Sequence, residues 1–228
     1  MNKLDYAKLA KLSQLKTFDQ NAYAEQEFKL KQYKLSFHNI KGTEFVVLYI
    51  QNVMYISFRG TELSSADIVP HAVRCSTKTI SMGKVHSGYL AKLEQILPTL
   101  KRKLKNNRVK KVVYVGHSLG GALAQLAYLQ LRNRYGEESE CVTFGSCKPV
   151  KKLPSKPIAS KDVKNYYLLK DYVGLFPFGY KVITKPIIIN SDKNYSKDTV
   201  PVWGLLKAMS SIFITKRHSI DMYIKELE

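Results

Sequence analysis

The stretch "KKVVYVGHSLGGALAQLAY", residues 110–128, decides the fold. It opens with an unbroken apolar run, as expected of a strand in a sheet buried on both faces. It closes with an apolar helix-forming segment, and between the two stands Gly-x-Ser-x-Gly. A serine held on a tight strand-to-helix turn leaves no room for β-carbons at the crowded positions around it. Such a turn exposes Oγ above the sheet and aims the first helical amides at a developing oxyanion. Gly116, Gly120 and Gly121 meet that demand around Ser118. The strand and the helix make this a nucleophile turn, with Gly116, His117 and Gly120 as its elbow, rather than a glycine-rich loop.

Working outward, residues 4 to 15 form an imperfect amphipathic helix with Leu4, Leu9, Leu12 and Leu15 among lysines. Glu44 to Ile50 and Val53 to Phe58 read as a hairpin joined by Gln51-Asn52, with the asparagine expected at positive φ. "SGYLAKLEQILPTLKRKL" carries a good helical face that Pro98 is expected to end or kink. The helix after Ser118 is expected to reach Gly136, with Arg132 and Arg134 in its last turn. "CVTFG" and "NYYLLK" read as further strands. "KVITKPIIIN" is one strand or two broken by Pro186, and "VPVWGLLKAMSSIFI" reads as an apolar helix. No repeat or linker divides the chain, so one α/β domain over residues 1–228 is the simplest reading.

The 228 residues suffice for a sizeable core, and no apolar run approaches the roughly 20 residues needed to span a bilayer. The lysine-studded start lacks the apolar core of a secretory signal. Cys75, Cys141 and Cys147 leave an odd thiol and no disulfide framework. An intracellular protein, cytoplasmic or peripheral to membranes, is therefore expected. Lys and Arg number 37 against 18 acids, a net charge of +19, clustered at 101–105, 110–111 and 148–156. That field attracts an anionic membrane surface. Nucleic acid is not expected, because no recognition motif accompanies the charge. A lysine-biased composition that merely keeps the chain soluble explains the excess equally well.

A serine nucleophile needs a base and an acid. In the chain order serine, acid, histidine, only His218 lies downstream of Ser118. His117 adjoins the serine and points away from it, as a packed structural histidine; His86 reads as an interior one, and His38 and His71 have no supporting context. Asp171 directly follows "NYYLLK" and sits at the carboxyl end of that strand. Asp162 precedes the strand, Asp192 and Asp198 lie in a polar loop, and Asp221 supports a helix start. The Leu119 amide is one oxyanion donor, and Thr61 in "SFRGTE" is either a second donor or a surface threonine at a strand end. No spacing of Cys and His marks a metal site, and no cofactor is implied.

Taken in order, "SFRGTE" (57–62), "KVHSGYL" (84–90), "VYVGHSLGGALAQLAY" (113–128), "VTFGSCKPV" (142–150), "KDYVGLFP" (170–177) and "RHSIDMY" (217–223) resemble the blocks of the class 3 lipases. The resemblance covers about residue 40 to the C-terminus and is thin between Pro186 and Lys216. It implies an α/β-hydrolase fold with a central, mostly parallel sheet flanked by helices. It also implies a Ser118–Asp171–His218 triad, Thr61 and Leu119 as oxyanion donors, and hydrolysis of lipid acyl esters. Glu62 to Ile80 becomes the counterpart of a lid; Asp67 fits the family pattern there, whereas Ala66 replaces its usual tryptophan. Cys147-Lys148 stand where the family often has proline-arginine. Two readings compete with lipid hydrolysis: a non-catalytic hydrolase fold that binds membrane or nucleic acid, and an esterase or thioesterase for soluble substrates.

Overall fold

β-Strands recur along the chain at the positions where β-branched and aromatic residues concentrate, and most assemble into one seven-stranded sheet. The computed structural model describes residues 1–29, 32–60, 76–81, 83–107, 109–153, 158–169, 171, 173–189 and 218–228. Its helices are α1 (Lys3–Leu12), α2 (Thr17–Phe28), α3 (Ser87–Asn106), α4 (Leu119–Leu131) and α5 (Ile220–Lys225). Its strands are β1 (Lys34–Ile40), β2 (Thr43–Ile50), β3 (Val53–Phe58), β4 (Thr77–Ile80), β5 (Gly83–His86), β6 (Lys111–His117), β7 (Glu138–Phe144), β8 (Val150–Lys152), β9 (Val163–Leu168) and β10 (Pro186–Ile189). The large sheet has the order β1-β2-β3-β6-β7-β9-β10. β1, β2 and β3 pair antiparallel, and β3 through β10 pair parallel. β4, β5 and β8 form a small antiparallel sheet.

The apolar run of β6 is unbroken because both faces of the sheet are covered. Val112 and Tyr114 pack with α3 and α4, while Val113 and Val115 pack with α1 and α5. Alternation along a strand sends successive side chains to opposite layers, so a doubly covered strand has no polar face. α1 starts at a capping box, in which Asn2 and Asp5 exchange side chain-to-backbone hydrogen bonds of 3.0 and 2.8 Å. It is pinned to the sheet by the Ser57 hydroxyl, which donates to the Leu9 carbonyl at 2.9 Å.

Several sequence expectations require correction. The hairpin turn puts Gln51, not Asn52, at positive φ (53°). Pro98 does not end its helix: α3 runs through it for 20 residues. Leu90, Leu93, Ile96, Leu100 and Leu104 are all buried, at about 2 kcal/mol each, which outweighs the roughly 3 kcal/mol of an internal proline. Pro98 is also exposed, as is Glu94, whose carbonyl loses its helical donor to the proline. α4 ends at Leu131, with Arg132 as C-cap and Arg134 beyond the helix. There Asn133 turns at φ 54°, its N–H held by the Ser139 hydroxyl at 3.1 Å, and Gly136 lies past that turn. In "KVITKPIIIN" only Pro186–Ile189 joins the large sheet, with proline at the first position of an edge strand; Lys181 makes an isolated bridge to Val150.

α2 and β1 form where neither apolar periodicity nor a β-rich run announces them in the sequence. Within the lid counterpart, residues 77–80 are strand β4, whereas 62–75 lie outside the described residues, as does the apolar segment around Trp203. Among the described residues no helix is long and apolar enough to cross a membrane.

Candidate active site

Ser118 sits where β6 meets α4, with φ 57° and ψ −126°. A non-glycine residue held in such a region costs about 1–3 kcal/mol and persists only where its surroundings over-determine it. Those surroundings are present. The Ser118 N–H donates to the Phe144 carbonyl at 3.1 Å, and its own carbonyl accepts from Gly121 N (3.0 Å) and Cys147 N (3.2 Å). A β-carbon at Gly116 would stand 2.2 Å from the Gly120 oxygen, and one at Gly120 would stand 2.1 Å from the Phe58 oxygen. One at Gly121 would meet Ser146 Cβ at 2.7 Å. The glycines thus let α4 press directly onto β3 and the turn. Leu119 is the first residue of α4, so its N–H has no carbonyl within the helix to bond, whereas Gly121 N and Ala122 N bond the Ser118 carbonyl.

Asp171 and His218, 47 residues apart, meet directly. His218 Nδ1 lies 2.9 Å from both carboxylate oxygens of Asp171, and both side chains are buried. The Val173 N–H donates to Oδ1 at 3.1 Å, and the Tyr223 hydroxyl donates to Oδ2 at 2.5 Å. That phenol also accepts the Leu168 N–H at 3.1 Å, so it ties the carboxylate to the end of β9. Gly145, at φ 51°, makes room for the group: a β-carbon there would lie 2.5 Å from Asp171 Oδ2, 2.9 Å from the Tyr223 oxygen and 3.0 Å from His218 Cε1.

With Nδ1 given to Asp171, His218 Nε2 is buried and has no hydrogen-bond partner among the described residues. Ser118 is therefore not hydrogen-bonded to it here. The serine hydroxyl instead lies against Cys147, whose thiol burial pushes up to about 11, while hydrogen bonds with Tyr89 and Ser118 act the other way.

His117 packs behind the pair. Its ring centroid is 4.5 Å from that of His218, and its Nδ1 is 3.1 Å from the side-chain amide nitrogen of Gln14, just beyond α1. Burial, then the His218 imidazole, hold its pKa well below the ordinary histidine value, against a hydrogen bond with the His218 backbone. His86 caps α3 by accepting from Tyr89 N at 3.3 Å. His38 stacks on Phe45 at the far edge of the sheet. Asp162 stands before β9, and Asp221 pairs with Lys11 at 2.7 Å. Thr61, His71, Asp192 and Asp198 lie outside the described residues.

Tyr223, Gly145 and Cys147 went unnamed as site residues, although each falls within a block quoted above. Nothing local marks them: the tyrosine works from a helix remote in sequence from the carboxylate it holds.

A mostly parallel sheet, covered by helices on both faces and carrying a strained serine at the carboxyl end of a central strand, is the architecture of the α/β-hydrolases. Known proteins narrow this further. The family model of the class 3 lipases matches residues 55–179, and the chain belongs to that family. Lipases of Rhizopus niveus and Rhizopus oryzae are each 36% identical over 89 residues, which is 37% of this chain and 23% of theirs. The chain therefore matches less than a quarter of the length of those relatives. In fold it resembles the Rhizomucor miehei triacylglyceride lipase, with TM-score 0.63, 22% identity, and coverage of 83% of this chain and 80% of that one. It also resembles a triacylglycerol lipase whose catalytic centre is formed by a serine protease triad, with TM-score 0.62, 22% identity and the same coverage.

Proposed function

We propose that the chain hydrolyses acyl esters of lipids through Ser118, His218 and Asp171. The observation that carries this is a strained serine directly after His117, whose ring lies 4.5 Å from that of a buried histidine, His218, with Nδ1 committed to a carboxylate and Nε2 without a partner among the described residues. That nitrogen is the atom that would take the serine proton. The class 3 lipase family, and the serine triad of a triacylglycerol lipase with this fold, support the same chemistry.

Ser118 Oγ exchanges the Cys147 thiol for His218 Nε2, loses its proton to that nitrogen and attacks the ester carbonyl. Asp171 keeps Nδ1–H in place and stabilises the imidazolium. The Leu119 amide receives the oxyanion, with Thr61 as second donor on the family pattern; each well-placed donor contributes about 10²–10³ in rate. The alcohol leaves with the His218 proton, and water repeats the sequence on the acyl-enzyme. Phospholipids or acylglycerols in anionic membranes are the proposed substrates, with the net charge of +19 favouring such surfaces over nucleic acid.

Labelling by a serine-directed phosphonate, lost in Ser118→Ala, tests the nucleophile. Long-chain glycerides and phospholipids compared with short soluble esters test the substrate class. A wild-type protein that stays unlabelled would overturn the assignment and favour a non-catalytic binding module.

A further inference from the structure

The small sheet beside Ser118 has an unusual charge pattern. Residues 76–86, 146–153 and 176–185 contain seven lysines and no aspartate or glutamate. Lys84 on β5 and Lys152 on β8 are direct cross-strand partners, and both are exposed. Like charges placed opposite each other on a sheet destabilise it. Lys78 is neutralised by Glu94 at 3.0 Å, whereas Lys84, Lys151, Lys152 and Lys181 have no ion pair among the described residues. Lys181 extends the patch through its bridge to Val150. A folded protein that keeps Lys84 opposite Lys152, with further lysines close by, is suited to a partner of opposite charge.

An apolar element adjoins the lysines. Phe178 is 55% exposed, on a turn whose Gly179 has φ 75°. Its ring packs on Phe176 at 4.8 Å, and the Phe176 carbonyl accepts from Lys148 N at 2.8 Å. The surface is also tied to the candidate site. Lys148 follows Cys147, whose N–H bonds the Ser118 carbonyl, and the turn follows Asp171 by a few residues. Tyr180 packs on His86 at 5.3 Å and lies beneath Lys151 Nζ at 5.9 Å.

We propose that the lysine face of β5 and β8, with Lys181 and the Phe178 turn, docks the protein on a bilayer rich in anionic lipid and so presents Ser118 to that surface. The proposal rests on the lipid-hydrolase reading and adds the face and the lipid charge. Lysines without an ion pair among the described residues fit a dense array of anionic headgroups, and an exposed phenylalanine on the adjoining turn fits insertion at the headgroup–acyl boundary. Nucleic acid would use the lysines but would not explain the exposed phenylalanine on the adjoining turn.

The test is co-sedimentation with phosphatidylcholine vesicles, with and without phosphatidylserine, at low and at physiological salt. Wild type should bind only the phosphatidylserine vesicles, and more weakly as salt rises. Each lysine near the surface contributes about fivefold, so Lys84→Gln/Lys152→Gln should weaken binding about twenty-fivefold. Phe178→Ser should weaken it about tenfold. Arg102→Gln/Lys105→Gln removes the same charge from α3, where Lys105 lines a 390 Å³ hollow with Lys110 and Glu137 near the starts of β6 and β7. That variant should bind as wild type does.

Equal loss in both double variants, or binding indifferent to phosphatidylserine, would overturn the proposal. So would tighter binding to a DNA duplex that the Lys84/Lys152 variant abolishes. Phosphonate labelling of Ser118 and hydrolysis of a short soluble ester, run on every variant, keep the two readings separate. Normal labelling without vesicle binding refutes the docking face alone; absent labelling in wild type refutes the hydrolase.

Discussion

Gly120→Ala isolates the contact that sets the serine turn against the sheet. The new β-carbon would stand 2.1 Å from the Phe58 carbonyl oxygen, 2.8 Å from its carbon and 2.9 Å from the Arg59 carbonyl carbon. All three are backbone atoms of β3 or its exit, so no side chain can rotate away. Relief to even 3.0 Å needs α4 and β3 to part by roughly 1 Å, a displacement that costs about 10²-fold in rate when it reaches a reacting group. Overpacking of this kind costs about 3 kcal/mol, against about 1 kcal/mol gained in helix propensity. The net loss of about 2 kcal/mol corresponds to a Tm lower by about 4–8 °C. The assay pairs thermal unfolding with the rate of phosphonate labelling at Ser118. Gly136→Ala is the matched control: its β-carbon meets nothing within 4 Å, and its φ of 86° costs about 1–2 kcal/mol without touching the site. A Gly120→Ala protein with wild-type Tm and labelling rate would refute the reasoning, because the helix could then shift freely without moving the serine.

Tyr223→Phe removes a donor to Asp171 and an acceptor for Leu168 N, so stability should fall by about 2 kcal/mol. Ester hydrolysis should then slow by about tenfold in kcat with KM little changed, measured on a short soluble ester. Buried neutral His117 has a pKa well below its unfolded value, so the unfolded chain binds the extra proton as pH falls below about 6.5. Wild-type Tm should therefore drop between pH 7 and 5, and less steeply in His117→Gln. Burial pushes both the Cys141 and Cys147 thiols well up. Neither should react with Ellman's reagent in the native protein, and both should react after denaturation, as a thiol titration would show.

Much of the site was legible because its chemistry is written locally. Gly116, Ser118, Gly120 and Gly121 lie within six residues, and each glycine answers a clash that the strand-to-helix turn itself creates. Chain order alone singled out His218, and the end of a recognisable strand singled out Asp171. Helix α3 was legible from its apolar spacing, but its continuity through Pro98 was not, because that depended on which side of the helix the sheet would cover.

The residues by themselves determined that β6 is buried on both faces and that a strained turn follows it, since an unbroken apolar run and closely spaced glycines have few other uses. Tertiary structure alone decided the surroundings. Tyr223 holds Asp171 from a helix 52 residues away, Gly145 just past β7 clears space for three side chains, and Lys84 comes to face Lys152 across two strands. Period and spacing carry information over a few residues. Contacts between distant elements depend on sheet order and register, which many weak contributions settle together.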